Sequence, residues 1–299
     1  MGADTVLAAD IGGTQMRAAL VDADGHVLVR RALPTPADTV AAAALIDLIT
    51  DVGREIDGSD LAHAVVGLPG VVDYESGHLL WAPHLPPEWS QQLSRAALTD
   101  RLGVPVHVAN DADLAAVGEA YFGAGVGAED VAYLTVSTGI GAGVVHGRRL
   151  VRGRRSLAEF GHTVVDWRSW HSGRPATLEE LGSGSGMAAL ARDGGLGRLD
   201  AKALQATAEA GDAAASAIWE DAVAVSAAGV ENLIMCFYPE RVVIGGGLGR
   251  QQEFFTAVRD VVLSRPEHHP SDLAIVPAQC GDDAGLAGAA GWAEATARA

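Results

Sequence analysis

The stretch Val6-Leu7-Ala8-Ala9-Asp10-Ile11-Gly12-Gly13-Thr14 decides how this chain is read. One short apolar run enters it and a second, Met16 to Val21, leaves it: the pattern of strand, tight turn, strand. Glycines in the turn permit φ > 0 and let a ligand approach the backbone closely. Successive N–H groups in such a turn form a concavity for anions. Asp10 adds a carboxylate able to hold a hydrated Mg2+, and Thr14 adds a hydroxyl donor. Taken alone, the turn fits an ordinary Gly-Gly hairpin equally well.

A second copy tips the balance. Val131 to Val136 is again an apolar strand, Ser137-Thr138-Gly139-Ile140-Gly141-Ala142-Gly143 is again a small, Gly-rich turn, and Val144-Val145 resumes a strand. This repetition predicts a duplicated, two-lobed α/β protein in which each turn grips phosphate from one side.

Composition sets the limits. The chain has 299 residues, 48% hydrophobic and 20% charged, as expected of a soluble globular protein with room for two domains. Cys236 and Cys280 are its only cysteines, so a disulfide framework is not expected and a reducing cytoplasm fits. The start of the chain lacks the basic and apolar regions of a signal peptide, and no apolar run is expected to span a membrane. A formal net charge of −17 disfavours nucleic acid. The five arginines between Arg148 and Arg155 form either a solvated loop or a phosphate-steering cluster.

Between the two turns, strands are expected at Val27–Ala32 and Ala64–Gly67, and a helix at Val40–Ile56. The strand at Ala64 runs into Gly67-Leu-Pro-Gly70, where an α/β sheet opens a crevice at its carboxyl edge. Val71 to Leu80 reads as a hairpin turning at Glu75-Ser-Gly77. Trp81 to Trp89, with His84 and three prolines, reads as a rigid loop whose tryptophans stack on sugar or fill the core. After a helix at Ser90–Leu102, the strand Val104–Val108 leads to Asn110-Asp111, and a helix follows over Ala112–Phe122. Asp111 is then at or near the N-cap, a place aspartate takes simply as a cap or as a carboxylate facing the crevice. Glu159-Phe-Gly-His162 is either surface polarity or a ligand pair. Helices fill the chain to Tyr238. Val242 to Gly249 reads as strand, Gly-rich turn, helix, without G-x-G-x-x-G spacing; no GxxxxGK[ST] is present, which excludes a Walker-type kinase. A last strand, Leu273–Val276, and a last helix, Asp283–Ala297, close the chain.

Asp10 to Thr14 together with Thr135 to Gly143 resembles the two phosphate motifs of the actin-like sugar kinases. With the later motifs, nearly the whole chain resembles the ROK family (repressors, open reading frames, kinases). That resemblance implies a two-domain actin-like, ribonuclease H-like ATPase fold with a cleft between the lobes. One lobe would be residues 1–110 completed by the helix 283–299, the other residues 111–282. It implies ATP-dependent phosphorylation of a hexose or amino-hexose, at the 6-hydroxyl, with ATP and Mg2+ as cofactors, in a cytoplasmic homodimer without nucleic-acid or membrane partners. Nucleotide would lie on Asp10, Gly12, Gly13, Thr14, Thr138, Gly139, Gly141, Gly245 and Gly246. Sugar would lie on Gly70, His84, Asn110, Asp111, Glu159, His162 and Glu179, with Asp111 as the base. Carboxylates suit sugars because charge-assisted hydrogen bonds to hydroxyls are the stronger kind.

The chain departs from the family pattern in one segment. Most members carry Cys-x-Cys-Gly-x-x-Gly-Cys after the histidine and bind zinc there. Here Trp167, Trp170 and His171 stand in a segment without cysteine. Tetrahedral zinc needs four good ligands, so no structural zinc is expected, and aromatic packing is expected to order residues 163–177. His84 also replaces the family's usual asparagine, which leaves glucose, mannosamine, N-acetylglucosamine and kanosamine open as substrates. Two rival readings remain: a sugar-responsive repressor, against which the short stretch before Asp10 speaks, and a non-catalytic sugar-binding regulator on a kinase scaffold.

Overall fold

The computed structural model describes residues 5–12, 15–35, 41–56, 61–82, 85, 88–156, 158–173 and 176–297. His84, Gly13 and Thr14 lie outside them. Contacts group the chain into two compact units: residues 1–129, 143–158 and 279–299 in the first, and residues 130–142 and 159–278 in the second.

The first unit is built on five strands, β1 (Thr5–Ile11), β2 (Gln15–Val21), β3 (Val27–Pro34), β4 (Leu61–Leu68) and, beyond a small hairpin of β5 (Val71–Asp73) and β6 (His78–Trp81), β7 (Val106–Asn110). Their order is β3-β2-β1-β4-β7. The first three form an antiparallel meander, and β4 and β7 add on in parallel. Helices α1 (Ala41–Gly53), α2 (Trp89–Gln92), α3 (Arg95–Leu102) and α4 (Asp111–Phe122) connect them. The near-continuous apolar runs of β1, β2 and β4 are what strands covered on both faces require.

The second sheet repeats that order. Strands β8 (Val131–Val136), β9 (Ile140–His146), β10 (Arg149–Leu150), β13 (Arg241–Gly245) and β14 (Ala274–Pro277) run β10-β9-β8-β13-β14, again with the last two added in parallel. A short pair, β11 (Val164–Asp166) and β12 (Ala176–Thr177), stands apart from it. Helices α5 (Leu178–Gly182), α6 (Gly184–Asp193), α7 (Ala201–Glu209), α8 (Ala213–Phe237), α9 (Gly246–Gly249) and α10 (Gln252–Leu263) complete this unit. The expectation that no apolar run reaches membrane-span length does not hold for α8, whose 25 residues include a window of mean hydropathy 1.2. It packs on α5, α6, α7 and α10 and buries Ala222, Val230, Leu233 and Ile234, the surroundings of a core helix.

The chain returns to the first unit as α11 (Ala284–Thr296), which lies along α4. The two helices approach backbone to backbone: a methyl on Gly118 would collide with the Ala284 carbonyl, and one on Gly288 with that of Leu114. This packing carries the first unit through Glu129, past the residue 110 at which the sequence reading divides the chain. Buried Glu119, at the far end of α4, accepts backbone N–H bonds from Ala124, Gln279 and Cys280 at 2.8, 3.0 and 2.8 Å, a charge-assisted set that ties the end of α4 to the returning chain.

The arginine cluster divides: Arg154 and Arg155 are exposed, and Arg148, Arg149 and Arg152 dock on the end of α11. Arg148 pairs with Glu294 at 3.0 Å, Arg149 donates to the Glu294 and Ala297 carbonyls, and Arg152 donates to the Thr296 carbonyl. These guanidinium groups meet the last carbonyls of α11, where a helix has unpaired acceptors and a negative dipole end. The tryptophans of the Pro-rich loop divide: Trp89 is buried, whereas Trp81 is 45% exposed.

Candidate active site

The carboxyl ends of parallel strands carry the candidate residues in both units, the edge at which open α/β sheets bind ligands. In the first unit, Asp10 of β1 is opposite Gly67 of β4, and Leu68 of β4 is opposite Asn110 of β7. Asp10, Asn110 and Asp111 therefore share one sheet edge. In the second unit, Gly245 at the end of β13 is opposite Thr135 of β8, one strand from the Ser137–Gly139 turn.

Asp10 is half-buried, with its side chain 15% exposed, and desolvation pushes its carboxyl up to about 6, against the opposing pull of Arg17, 3.6 Å away. The turn after it is closed by the Gly12 N–H donating to the Gln15 carbonyl at 2.8 Å, and the Thr35 hydroxyl donates to the Gly12 carbonyl at 2.8 Å.

At the β7–α4 junction the capping residue is Asn110, not Asp111. The Asn110 Oδ1 accepts the Ala112 and Asp113 N–H groups at 2.7 and 3.2 Å. Its Nδ2 donates to the Gly70 carbonyl at 2.9 Å, joining the end of β4 to the end of β7. Gly70 sits at φ +103°, and a methyl there would collide with the Trp81 carbonyl. Asp111 is the first residue of α4 and half-buried, so its carboxylate stands at the positive end of the helix dipole. Asp was a reasonable cap on type alone; the tie-breaker, the carbonyl of Gly70 forty residues earlier, is invisible in local sequence.

In the second unit the Ser137–Gly139 turn is docked on α5 and α6. The Gly184 N–H donates to the Ser137 carbonyl at 2.8 Å and the Ser185 N–H to that of Thr138 at 3.1 Å. Glu179 Oε2 accepts the Ile140 N–H at 2.8 Å, and a methyl on Gly139 would lie 2.5 Å from that oxygen. Thr138 is exposed at the tip, and Gly141 follows in β9. Glu159 and His162 occupy a 3₁₀ turn that packs on α5, with His162 Nε2 3.4 Å from the Glu159 carboxylate. The structure thus gathers Thr138, Gly139, Glu159, His162 and Glu179 in one neighbourhood.

The glycines of the third motif divide as well. A methyl on Gly245 would strike Tyr133, and Gly246, at φ +81°, packs against Val136 and Thr135. Both are needed to seat β13 and α9 against β8. Gly247, not singled out in the sequence, has only the Ser137 hydroxyl nearby, at 4.0 Å, and leaves backbone open for a ligand.

Hydrogen bonds tie the segment without cysteine together, and the packing expected of the Trp170 side chain lies outside what is described. β11 pairs with β12, the Leu178 N–H donates to the Thr163 carbonyl at 2.9 Å, and the Ser169 hydroxyl links the Asp166 carbonyl to the Ala176 N–H at 2.5 Å on each side. Trp167 stands 57% exposed, touching only Arg168 and His171 among the rings and guanidiniums described. Among the described residues the one group of metal-type ligands is Asp22, Asp24 and His26, in an exposed turn of the first unit far along the chain from this segment.

Comparison with known proteins places this architecture. The ROK family profile matches residues 6–296. The bifunctional enzyme NanE/NanK of Brucella melitensis is 37% identical over 292 residues, covering 95% of this chain and 53% of that protein, so the chain spans about half the length of this relative. The N-acetylmannosamine kinase of Salmonella arizonae is 35% identical, covering 96% of this chain and 97% of that one. The ROK family glucokinase of Streptomyces griseus, solved in complex with glucose and AMPPNP, superimposes with a TM-score of 0.80 at 29% identity, covering 97% and 99% of the two chains. Its fold is therefore the actin-like ATPase fold of those kinases, and the chain belongs to the ROK family.

Proposed function

We propose that this protein is an ATP-dependent kinase of a hexose or amino-hexose, transferring the γ-phosphoryl group to the 6-hydroxyl. The observation that carries the reading is the β7–α4 junction. Asn110 takes the main capping role and holds Gly70, and Asp111, whose Oδ1 also accepts the Ala112 N–H at 2.9 Å, is a carboxylate at a helix N-terminus on the ligand edge of the sheet. In this role Asp111 accepts the proton of the attacking hydroxyl, and Asn110 and Gly70 hold the sugar beside it. Glu159, His162 and Glu179 supply further hydrogen bonds to sugar hydroxyls. Glu179 already gives one oxygen to the Ile140 N–H and has a second for the ligand.

Phosphoryl transfer is mostly positioning and charge stabilisation. The turn at Thr138-Gly139 offers backbone N–H groups to phosphate oxygens, and exposed Gly247 offers an open backbone to the nucleoside. A divalent cation fits Asp10, since a carboxylate driven up to about 6 by burial gains from a cation beside it. When bound with ATP, magnesium neutralises phosphate charge; Asp10, directly or through water, is the residue that would hold it. The same reading includes a cytoplasmic homodimer.

Relatives favour two substrates. The 35% identical relative is an N-acetylmannosamine kinase, while the solved neighbour holds glucose. An ADP-release assay with glucose, N-acetylmannosamine, N-acetylglucosamine and kanosamine tests the proposal. ADP release strictly dependent on one of these sugars is expected. Sugar binding without ADP release from any of them would leave a non-catalytic regulator instead.

A further inference from the structure

Behind Asn110 and Asp111 lies a buried polar chain that neither the sequence motifs nor the proposed roles account for. The Asn110 backbone N–H donates to the Tyr74 hydroxyl at 3.2 Å. That hydroxyl donates to the Asp113 carboxylate at 2.5 Å, and the Ser156 hydroxyl donates to the same oxygen at 2.8 Å. Asp113 is fully buried, and Tyr74 and Ser156 are 8% exposed each. Three separate segments meet here: the β5–β6 hairpin, the first turn of α4, and the end of the arginine segment.

The two hydroxyl residues are each held from a second side. Ser156 accepts the Ala158 N–H at 3.0 Å, and its own N–H donates to the Val72 carbonyl at 3.1 Å. The Tyr74 carbonyl accepts Arg95 Nη2 at 2.9 Å, and Arg152 lies 5.0 Å over the Tyr74 ring. Both hydroxyls converge on Asp113 Oδ2, and hydrogen-bonded networks of this kind rigidify what they join. Here they join the backbone of Asn110, through Tyr74, to the side chain three residues later on the same helix.

We infer that Tyr74, Asp113 and Ser156 are positioning residues that fix the first turn of α4, and so the direction of the Asp111 carboxylate. The inference rests on the reading of Asp111 as the base. None of the three needs to touch a substrate. The Tyr74 hydroxyl is the centre of the chain, because it both accepts from Asn110 and donates to Asp113. Its removal frees the junction on one side and deprives the buried carboxylate on the other.

The test is a cycle of Tyr74→Phe, Asp111→Asn and the double variant, with Ser156→Ala as a milder probe. Tyr74→Phe is expected to lower kcat about tenfold, since small misplacement of a reacting group costs rate steeply, with KM for ATP changed less than about twofold. Because Tyr74 acts through Asp111, adding Tyr74→Phe to Asp111→Asn should lower the residual turnover less than about twofold. Ser156→Ala should lower kcat about threefold in the same sense. A folded Tyr74→Phe with kcat within about twofold of wild type would overturn the inference, and so would an equal loss in the Asp111→Asn background. If Tyr74→Phe does not fold, unchanged kcat in Ser156→Ala overturns it. Near-wild-type turnover of Asp111→Asn alone would instead remove the base assignment, a result read independently of Tyr74.

Discussion

The two units present their candidate residues in opposite ways. At the β7–α4 junction of the first, a set of buried hydrogen bonds holds the backbone: Asn110 to Gly70, Asn110 to Tyr74, Tyr74 and Ser156 to Asp113. In the second, Glu159 and His162 ride on a short 3₁₀ turn with side chains 27% and 42% exposed, steadied by a two-strand ladder and the Ser169 bridge. The contrast separates two demands. A group that moves a proton needs fixed geometry, whereas groups that select among sugars gain from a frame that varies without disturbing the chemistry. A family whose relatives include a glucokinase and an N-acetylmannosamine kinase fits that division.

Among variants that leave the proton-moving group alone, Gly139→Ala should have the largest effect. Its methyl would press on Glu179 Oε2, breaking the Ile140 contact and displacing the turn together with the proposed sugar ligand. Loss of about 100-fold in kcat/KM is expected from steady-state kinetics; a loss under threefold would show that the second unit is less tightly arranged than described.

Asp10→Asn sharpens the comparison from the side of charge. Desolvation pushes the folded carboxyl up to about 6 from the usual 3.8, so folding favours the neutral form. The unfolded state releases its proton first, and wild-type stability falls as pH rises from about 4 to above 6. The variant lacks that loss. Without nucleotide it should be more stable than wild type at pH 7.5 by about 2 kcal/mol, with the difference gone near pH 3.5, in urea melts at both pH values. A destabilised variant at pH 7.5 would contradict the desolvated, under-compensated carboxylate.

His162→Ala should raise the sugar KM about tenfold, the worth of one good hydrogen bond, and change kcat less than about threefold. A change confined to kcat would move His162 from recognition to chemistry. The smallest effect belongs to Ser169→Ala, about 1 kcal/mol of stability measured by melting, with phenanthroline leaving the wild-type melting temperature unchanged. A large drop on chelation would show a metal where hydrogen bonds have been assigned.

Much of this was legible in the chain because it is local. The apolar runs around Asp10 and Ser137 predicted twin strand–turn–strand units, and the two sheets do repeat one strand order. The junction at Asn110-Asp111 followed from a strand ending where a helix begins. What was missed lies between residues distant in sequence. Arg148, Arg149 and Arg152 looked like solvated charge because the α11 groups they meet are about 145 positions away. Tyr74 and Ser156 carry no motif; only the fold places them on Asp113. The cysteine-free segment suggests aromatic packing, and a count of aromatic residues does not reveal that Ser169 also bridges two backbone groups.

The central claim is that Asp111 serves turnover and not the integrity of the site. The most direct measurement takes one preparation of Asp111→Asn and reads both sugar binding, by calorimetry, and sugar-dependent ADP release. The account predicts a dissociation constant for the sugar within about threefold of wild type and a kcat lower by about 10²- to 10⁴-fold. Turnover within tenfold of wild type, or loss of sugar binding along with turnover, would contradict it.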